Sequence, residues 1–125
     1  MKFHVFNKNT GKTLGVVDAN NPERALDQAV QAALSSPLSN QRVAASSGRI
    51  VAVPAQKYVV ERGSRFEIVY ASTEEYAADI AGEHNAVVWT RCDELYRRWF
   101  RRQVGDELFE QDQAPEAVVE LFQQD

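Results

Sequence analysis

Apolar residues in the first third of the chain are placed in a pattern that predicts a hairpin followed by a helix. Segments 2–6 and 12–18 have strand character, and Asn9-Thr10-Gly11 between them supplies a glycine for a positive φ. Asn21 can cap a helix that begins at Pro22, where a missing N–H costs nothing. The apolar residues of this helix recur on one face: Ala25, Leu26, Ala29, Val30, Ala33 and Leu34.

Short apolar runs after this helix predict further strands. A short strand over 42–45 turns at Ser47-Gly48 into a second strand over 49–53, which is rich in β-branched residues. Pro54 is unsuited to an internal position of a sheet because it lacks an N–H.

A second hairpin is predicted from segments 57–61 and 65–71. Gly63-Ser64 between them suits a two-residue type II′ turn. Ser72 and Glu75 then have the spacing of a capping box, which predicts a helix to about residue 84 with Tyr76, Ala77, Ile80 and Ala81 on one face. A strand over 86–90 follows, so that 65–90 predicts a right-handed crossover.

The pattern over 91–104 predicts an amphipathic helix, with Thr90 and Asp93 as its capping box. At 100° per residue, its apolar stripe lies within about 180°. The stripe consists of Cys92, Leu95, Tyr96, Trp99, Phe100 and Val104, and all five arginines of the segment lie opposite it. Gly105 is placed to end this helix, and Pro115 to open a last short helix whose apolar side is Val118, Val119, Leu121 and Phe122.

These elements predict a single α+β domain over 1–125, with 106–125 as an optional acidic C-terminal extension. We expect a mostly antiparallel sheet of about six or seven short strands, with three or four helices packed mainly on one face. The length of 125 residues and the 44% hydrophobic content suit one domain with a core of its own.

Charge is divided unevenly along the chain. The net charge of −4 combines a neutral body (nine bases and nine acids in 1–90), a basic segment (five arginines against Asp93 and Glu94 in 91–102) and an acidic end (seven acids and no base in 103–125). Overall acidity disfavours non-specific binding to nucleic acid, because the summed field repels phosphates.

Several other classes of protein are disfavoured by what the chain contains. A single cysteine, Cys92, excludes an internal disulfide and a cysteine-rich zinc site, and a free thiol favours a reducing cytoplasm. The first residues lack the pattern of a secretory signal. No apolar run reaches the roughly 18 residues of a membrane span, so we expect no membrane association.

Most candidate chemistry has a simpler structural interpretation. Gly11-Lys12-Thr13 lacks the upstream glycine of a phosphate-binding loop and is better explained as a turn. His84 could act as a base, but complementing the end of its helix explains it as well. His4 and His84 alone cannot form a metal site, so we expect no metal and no cofactor.

Cys92 is expected to be buried on the apolar stripe. The carboxylate pairs Glu75 with Asp79 and Asp93 with Glu94 are explained by their helix positions.

The arginines and the following acids are the sharper candidates. We predict a partner-binding surface made of Arg97, Arg98, Arg101, Arg102, Asp106, Glu107, Glu110 and Asp112. The leading hypothesis is a small cytoplasmic, non-enzymatic binding or regulatory protein that presents this surface to a partner protein. An inhibitor carried by a phage or other mobile element is one form it would take.

Two alternatives and two further possibilities stay open. The arginine helix would bind nucleic acid if its aromatics stacked on bases, and His84 would serve a small enzyme. The acids could also fold back on the arginines and neutralise them. The apolar residues among 108–122 make a homodimer possible.

Overall fold

A computed structural model describes residues 1–35, 49–82, 86–93, 95–102, 105–111 and 114–124, with side chains described except at 101, 102 and 105–111. Within these ranges lie eight strands, in two sheets, and three helices. The predicted α+β class and the antiparallel pairing are therefore confirmed, but the strands form two sheets where the sequence predicts one. The chain divides into two compact units, Met1–Gln56 and Lys57–Asp125. The strand predicted over 42–45, with its turn, lies outside the described residues.

The first unit contains the predicted hairpin and helix. Its strands are β1 (Lys2–Asn7), β2 (Thr13–Asp18) and β3 (Ile50–Pro54), which lie in the order β2-β1-β3, and its helix is α1 (Pro22–Leu34). Gly11 takes a φ of 76° in the turn of the hairpin, so the turn interpretation of this segment is confirmed. Pro54 pairs with Phe3 from the outer strand β3, where a missing N–H is tolerated.

Helix α1 begins as predicted. Asn21 Oδ1 accepts the Arg24 backbone N–H at 2.9 Å, and Pro22 occupies the first turn. Ala25 and Ala29 are buried against Phe3 and Val5 of β1. Small residues on this face let the helix approach the sheet closely, and the cluster forms the apolar core of the first unit.

The second unit is built on a five-stranded sheet in the order β5-β4-β6-β7-β8. Its strands are β4 (Gln56–Arg62), β5 (Arg65–Ala71), β6 (Val87–Cys92), β7 (Leu95–Arg102) and β8 (Gly105–Gln111), and its helices are α2 (Glu74–Ala81) and α3 (Glu116–Gln123). The predicted second hairpin is confirmed, with Gly63 at a φ of 60°.

Helix α2 is shorter than the sequence predicts. Its cap is Thr73, not Ser72, because the Thr73 hydroxyl accepts the Tyr76 N–H at 3.2 Å. Gly82 takes a left-handed φ of 81° and ends the helix there, two residues before His84. Residues 83–85 lie outside the described residues.

The two helices of this unit lie on opposite faces of its sheet, whereas the sequence predicts helices mainly on one face. Successive residues of a strand point to opposite faces. Val60 and Val88 accordingly belong to the cluster that α2 covers, whereas Val59 and Trp89 belong to the cluster that contains Val118 and Phe122 of α3. The central strands are thus buried on both sides.

The helix predicted over 91–104 is wrong. Residues up to Cys92 belong to β6, Asp93 turns with a φ of 56°, and β7 begins at Leu95. The physical reason is the coverage of both faces. Tyr96 and Trp99 are three residues apart and therefore lie on opposite faces of a strand; Tyr96 packs on the α3 side and Trp99 on the α2 side. When both faces of a strand must be apolar, its apolar residues can have the spacing that is typical of a helix.

Candidate interaction surface at the charged hairpin

The basic and acidic segments pair with each other as neighbouring antiparallel strands. In the register of β7 and β8, Arg97 lies opposite Glu110 and Arg101 lies opposite Asp106. Directly opposed residues of an antiparallel pair share a face of the sheet. Two predicted basic positions are therefore matched to two predicted acidic positions on one face.

The other face of the same pairing has no such matches. Arg98 lies opposite Phe109, Phe100 opposite Glu107, and Arg102 opposite Gly105. Seven of the eight predicted site residues thus lie on the β7–β8 hairpin, brought together by the backbone. Asp112 lies outside the described residues, and so do Glu94 and Val104.

Arg97 and Arg98 are half-buried. The Nε atoms of both are buried and have no hydrogen-bond partner among the described side chains. A buried donor without an acceptor costs about 1–3 kcal/mol. A carboxylate is the acceptor that best offsets this cost, and Glu110 is the register partner of Arg97.

The aromatic residues of β7 serve the core. Trp99 is 7% exposed. The Tyr96 ring lies 5.5 Å from that of Phe122, and the Arg91 guanidinium lies 5.9 Å from the centre of the Tyr96 ring. Trp99 therefore offers no free face for stacking on a base, and one neighbour of Tyr96 is already an aromatic ring of α3.

Cys92 is exposed, contrary to the prediction of burial. The prediction depended on the helical stripe. As the last residue of β6, Cys92 instead lies beside the turn and pairs with Leu95, which is also exposed. Asp93 likewise lies in the connection between β6 and β7, and not at the start of a helix.

His4 was not selected as a candidate, yet it is the most deeply buried titratable side chain described. Its exposure is 0%, its Nε2 shares a hydrogen bond of 2.9 Å with Thr13 Oγ1, and its ring lies 4.8 Å from that of Phe6. Burial lowers the pKa of His4 to about 4, so the ring is neutral near pH 7. The sequence signal that could have indicated this burial is the position of His4 among the apolar residues of a predicted strand.

The described residues contain no cluster of three or more potential metal ligands. No helix in the described part of the chain is long and apolar enough to cross a membrane. Comparison with protein-family models, curated proteins and solved structures finds no match to this chain.

Proposed function

We propose that this chain is a non-enzymatic binding protein that recognises a basic protein partner at the acidic strand β8. One observation carries the proposal: β8 is the last strand of the five-stranded sheet among the described strands, and it bears Asp106, Glu107 and Glu110. The outer edge of a terminal strand offers backbone groups to which a strand of another protein can be added.

Charge supports a basic partner. The five arginines of 91–111 are balanced by Asp93, Glu94 and the three acids of β8, so the net of −4 comes from residues 112–125. Four of these arginines lie on the inner strand β7, and three of the acids lie on the outer strand β8. A basic strand added at β8 would pair with an acidic strand, and opposite charges on neighbouring strands are favourable.

The decisive experiment compares two neutralised variants of the full chain. The β8 variant carries D106N, E107Q and E110Q; the control carries E116Q and E120Q, two exposed acids of α3. We expect the purified partner to bind the β8 variant at least about tenfold more weakly, as charged interface pairs are worth about 1.5 kcal/mol or more. The control should bind as the wild type does, in titrations by calorimetry.

Equal partner recovery and affinity for both variants would contradict the proposal. If the β8 variant only aggregates, the acids serve to protect a sheet edge. Nucleic acid that copurifies with the wild type and is lost on neutralising Arg97 and Arg98 would favour the alternative of nucleic-acid binding, with a steep dependence on salt.

The finer features of the proposal are the compartment, the role and the assembly. The exposed thiol of Cys92 supports a reducing cytoplasm. A regulatory role, including that of an inhibitor from a phage or other mobile element, fits a binding surface without chemistry of its own. A homodimer would use the same edge, and light scattering at 14.1 kDa at high concentration would exclude it.

A further inference from the structure

One end of the three-stranded sheet, at the turn between β1 and β2, carries three basic residues that we call the basic tip: Lys8, Lys12 and Arg49. Lys8 lies opposite Arg49, one step beyond the last pair of β1 and β3. The Lys8 N–H donates to Arg49 O at 2.7 Å, and the Arg49 N–H donates to Asn9 Oδ1 at 3.1 Å. The Asn7 N–H donates to Lys12 O at 2.8 Å. Backbone contacts therefore hold all three residues at the same end of the sheet.

The acids of the first unit lie away from the basic tip. The unit has only three of them: Asp18, Glu23 and Asp27. Asp18 lies opposite Lys2 and pairs with its Nζ at 2.9 Å. The six residues of β1 separate that pair from the tip by about 17 Å, at a rise of about 3.3 Å per residue. Glu23 and Asp27 lie in the first two turns of α1, which follows the Asp18 end of β2.

The positive charge of the basic tip is therefore uncompensated within its unit. Like charges directly opposite each other destabilise a pair of strands, and both Lys8 and Arg49 are exposed. None of the three basic residues forms an ion pair with any residue that the structure describes. Residues 1–56 hold six bases and three acids, a net of +3, whereas 57–125 hold eight bases and fifteen acids, a net of −7. The overall net charge of −4 thus does not describe this surface.

We propose that the basic tip binds the phosphate backbone of a double-stranded nucleic acid. The turn over 8–12 has the sequence Lys-Asn-Thr-Gly-Lys and contains no apolar side chain, whereas the centre of a protein-binding surface is apolar. Lysine, arginine, threonine and asparagine are side chains that contact phosphates.

The lack of an aromatic residue in 8–12 favours a duplex over a single strand, since unpaired bases are bound by stacking on aromatic rings. The nearest aromatic residue before the turn, Phe6, is half-buried, and its ring lies 4.8 Å from that of His4. The basic tip belongs to the first unit and β8 to the second, so this proposal does not depend on the one made for β8.

The experiment measures binding of the full chain to a fluorescently labelled DNA duplex of about 16 base pairs, by anisotropy at several salt concentrations. Three phosphate contacts predict that log K falls against log salt with a slope of about −2.7, with a Kd on the order of 10⁻⁴ M at about 20 mM salt. K8Q with R49Q removes two contacts, so the slope should become about −0.9 and binding at least about tenfold weaker. A control with R24Q and R65Q, two exposed arginines elsewhere, changes the net charge equally and should bind as the wild type does.

An RNA duplex and a single DNA strand complete the comparison. Saturable binding of either duplex supports the proposal, and the tighter of the two identifies the natural ligand class. K12Q is a second variant, which should make the slope less steep by about 0.9. Because Lys8 and Arg49 are exposed, their neutralised variant is expected to fold, which thermal unfolding checks.

Four results would overturn the proposal. They are no saturable change in anisotropy up to about 1 mM protein at about 20 mM salt, where the expected Kd is lower; unchanged binding by K8Q with R49Q; tighter binding of the single strand than of either duplex; and displacement of the duplex by poly-glutamate at an equal concentration of charge. The last result would assign the basic tip to an acidic protein.

Discussion

The two sheets of this chain are covered by helices in different ways. In the three-stranded sheet, α1 covers the side of β1 that carries Phe3 and Val5. In the five-stranded sheet, α2 covers the side of Val60, and α3 covers the side of Val59. A strand packed against helices on both sides must carry apolar residues on both faces, so its sequence loses a simple apolar–polar alternation.

This difference explains why similar local patterns have different outcomes. Helix α1 has an apolar stripe because a single face of it meets β1. Strand β7 has an apparent stripe because Tyr96 meets α3 on one face and Trp99 meets the α2 cluster on the other. A spacing of three or four residues between apolar side chains therefore does not by itself distinguish a helix from a strand that is covered on both faces.

The largest effect expected from coverage on both sides is at the two tryptophans of the five-stranded sheet. Trp89 and Trp99 are 3% and 7% exposed on opposite faces, and Trp89 Nε1 donates to Glu61 Oε1 at 2.6 Å. We expect W89A and W99A each to lower the free energy of unfolding by about 3–5 kcal/mol. Urea unfolding measures this.

A matched control lies on the same hairpin. Leu95 is 58% exposed, so L95A should change the free energy of unfolding by less than about 0.5 kcal/mol. If W89A or W99A were as mild as L95A, its face of the sheet would be uncovered in solution, and the contrast between the two sheets would fail.

The next effect belongs to the three-stranded sheet and depends on pH. Burial lowers the pKa of His4 from 6.5 to about 4, so the unfolded chain takes up a proton at a higher pH than the folded one. The contribution of neutral His4 to the free energy of unfolding is complete above about pH 6.5. It decreases by up to about 3 kcal/mol as the pH falls towards 4. Urea unfolding at pH 7 and pH 4.5 measures the loss.

Carboxylates also titrate in this range, so a variant is needed to isolate His4. H4Q removes the titrating ring and can still share a hydrogen bond with Thr13. We expect the loss of stability between pH 7 and pH 4.5 to be smaller in H4Q than in the wild type. An identical loss in the two proteins would show that His4 is exposed to solvent in the folded state.

Smaller effects are expected at the turns of the two neighbouring hairpins. Gly63 and Asp93 both have positive φ, 60° and 56°. A Cβ at Gly63 meets no atom within 4 Å, so G63A should cost only backbone strain, about 1–2 kcal/mol. D93G should instead raise the free energy of unfolding, by up to about 1 kcal/mol.

Thermal unfolding of the two turn variants compares them directly. Opposite signs of the change in Tm confirm that both turns need the left-handed conformation. A destabilising D93G would mean that the Asp93 side chain contributes more to the turn than its backbone strain costs.

Most of the fold can be predicted from the sequence where the signal is local. Asn21 with Pro22, Gly11 and Gly63 each determine a cap or a turn through their own backbone preferences, and all were predicted correctly. Asp93 has a weaker preference for positive φ than glycine, so the turn between β6 and β7 escaped prediction. Which faces of a strand are covered is decided by α2 and α3, and no local pattern in β7 reports them.

At the charged hairpin, the proximity of the basic and acidic segments could be predicted from the sequence, but their register could not. The sequence places the arginines and the acids next to each other along the chain, and the structure pairs them in β7 and β8. The sequence does not reveal which arginine lies opposite which acid, because the register depends on the turn between the strands.

The most direct test of this account is the pairing of the basic and acidic segments in solution. NMR of the full chain would measure backbone chemical shifts over 95–111 and contacts between Hα protons across β7 and β8. We expect strand-type shifts and cross-strand contacts in the observed register, with Trp99 opposite Leu108 and Arg97 opposite Glu110. Helical shifts over 91–104 without cross-strand contacts would contradict the account.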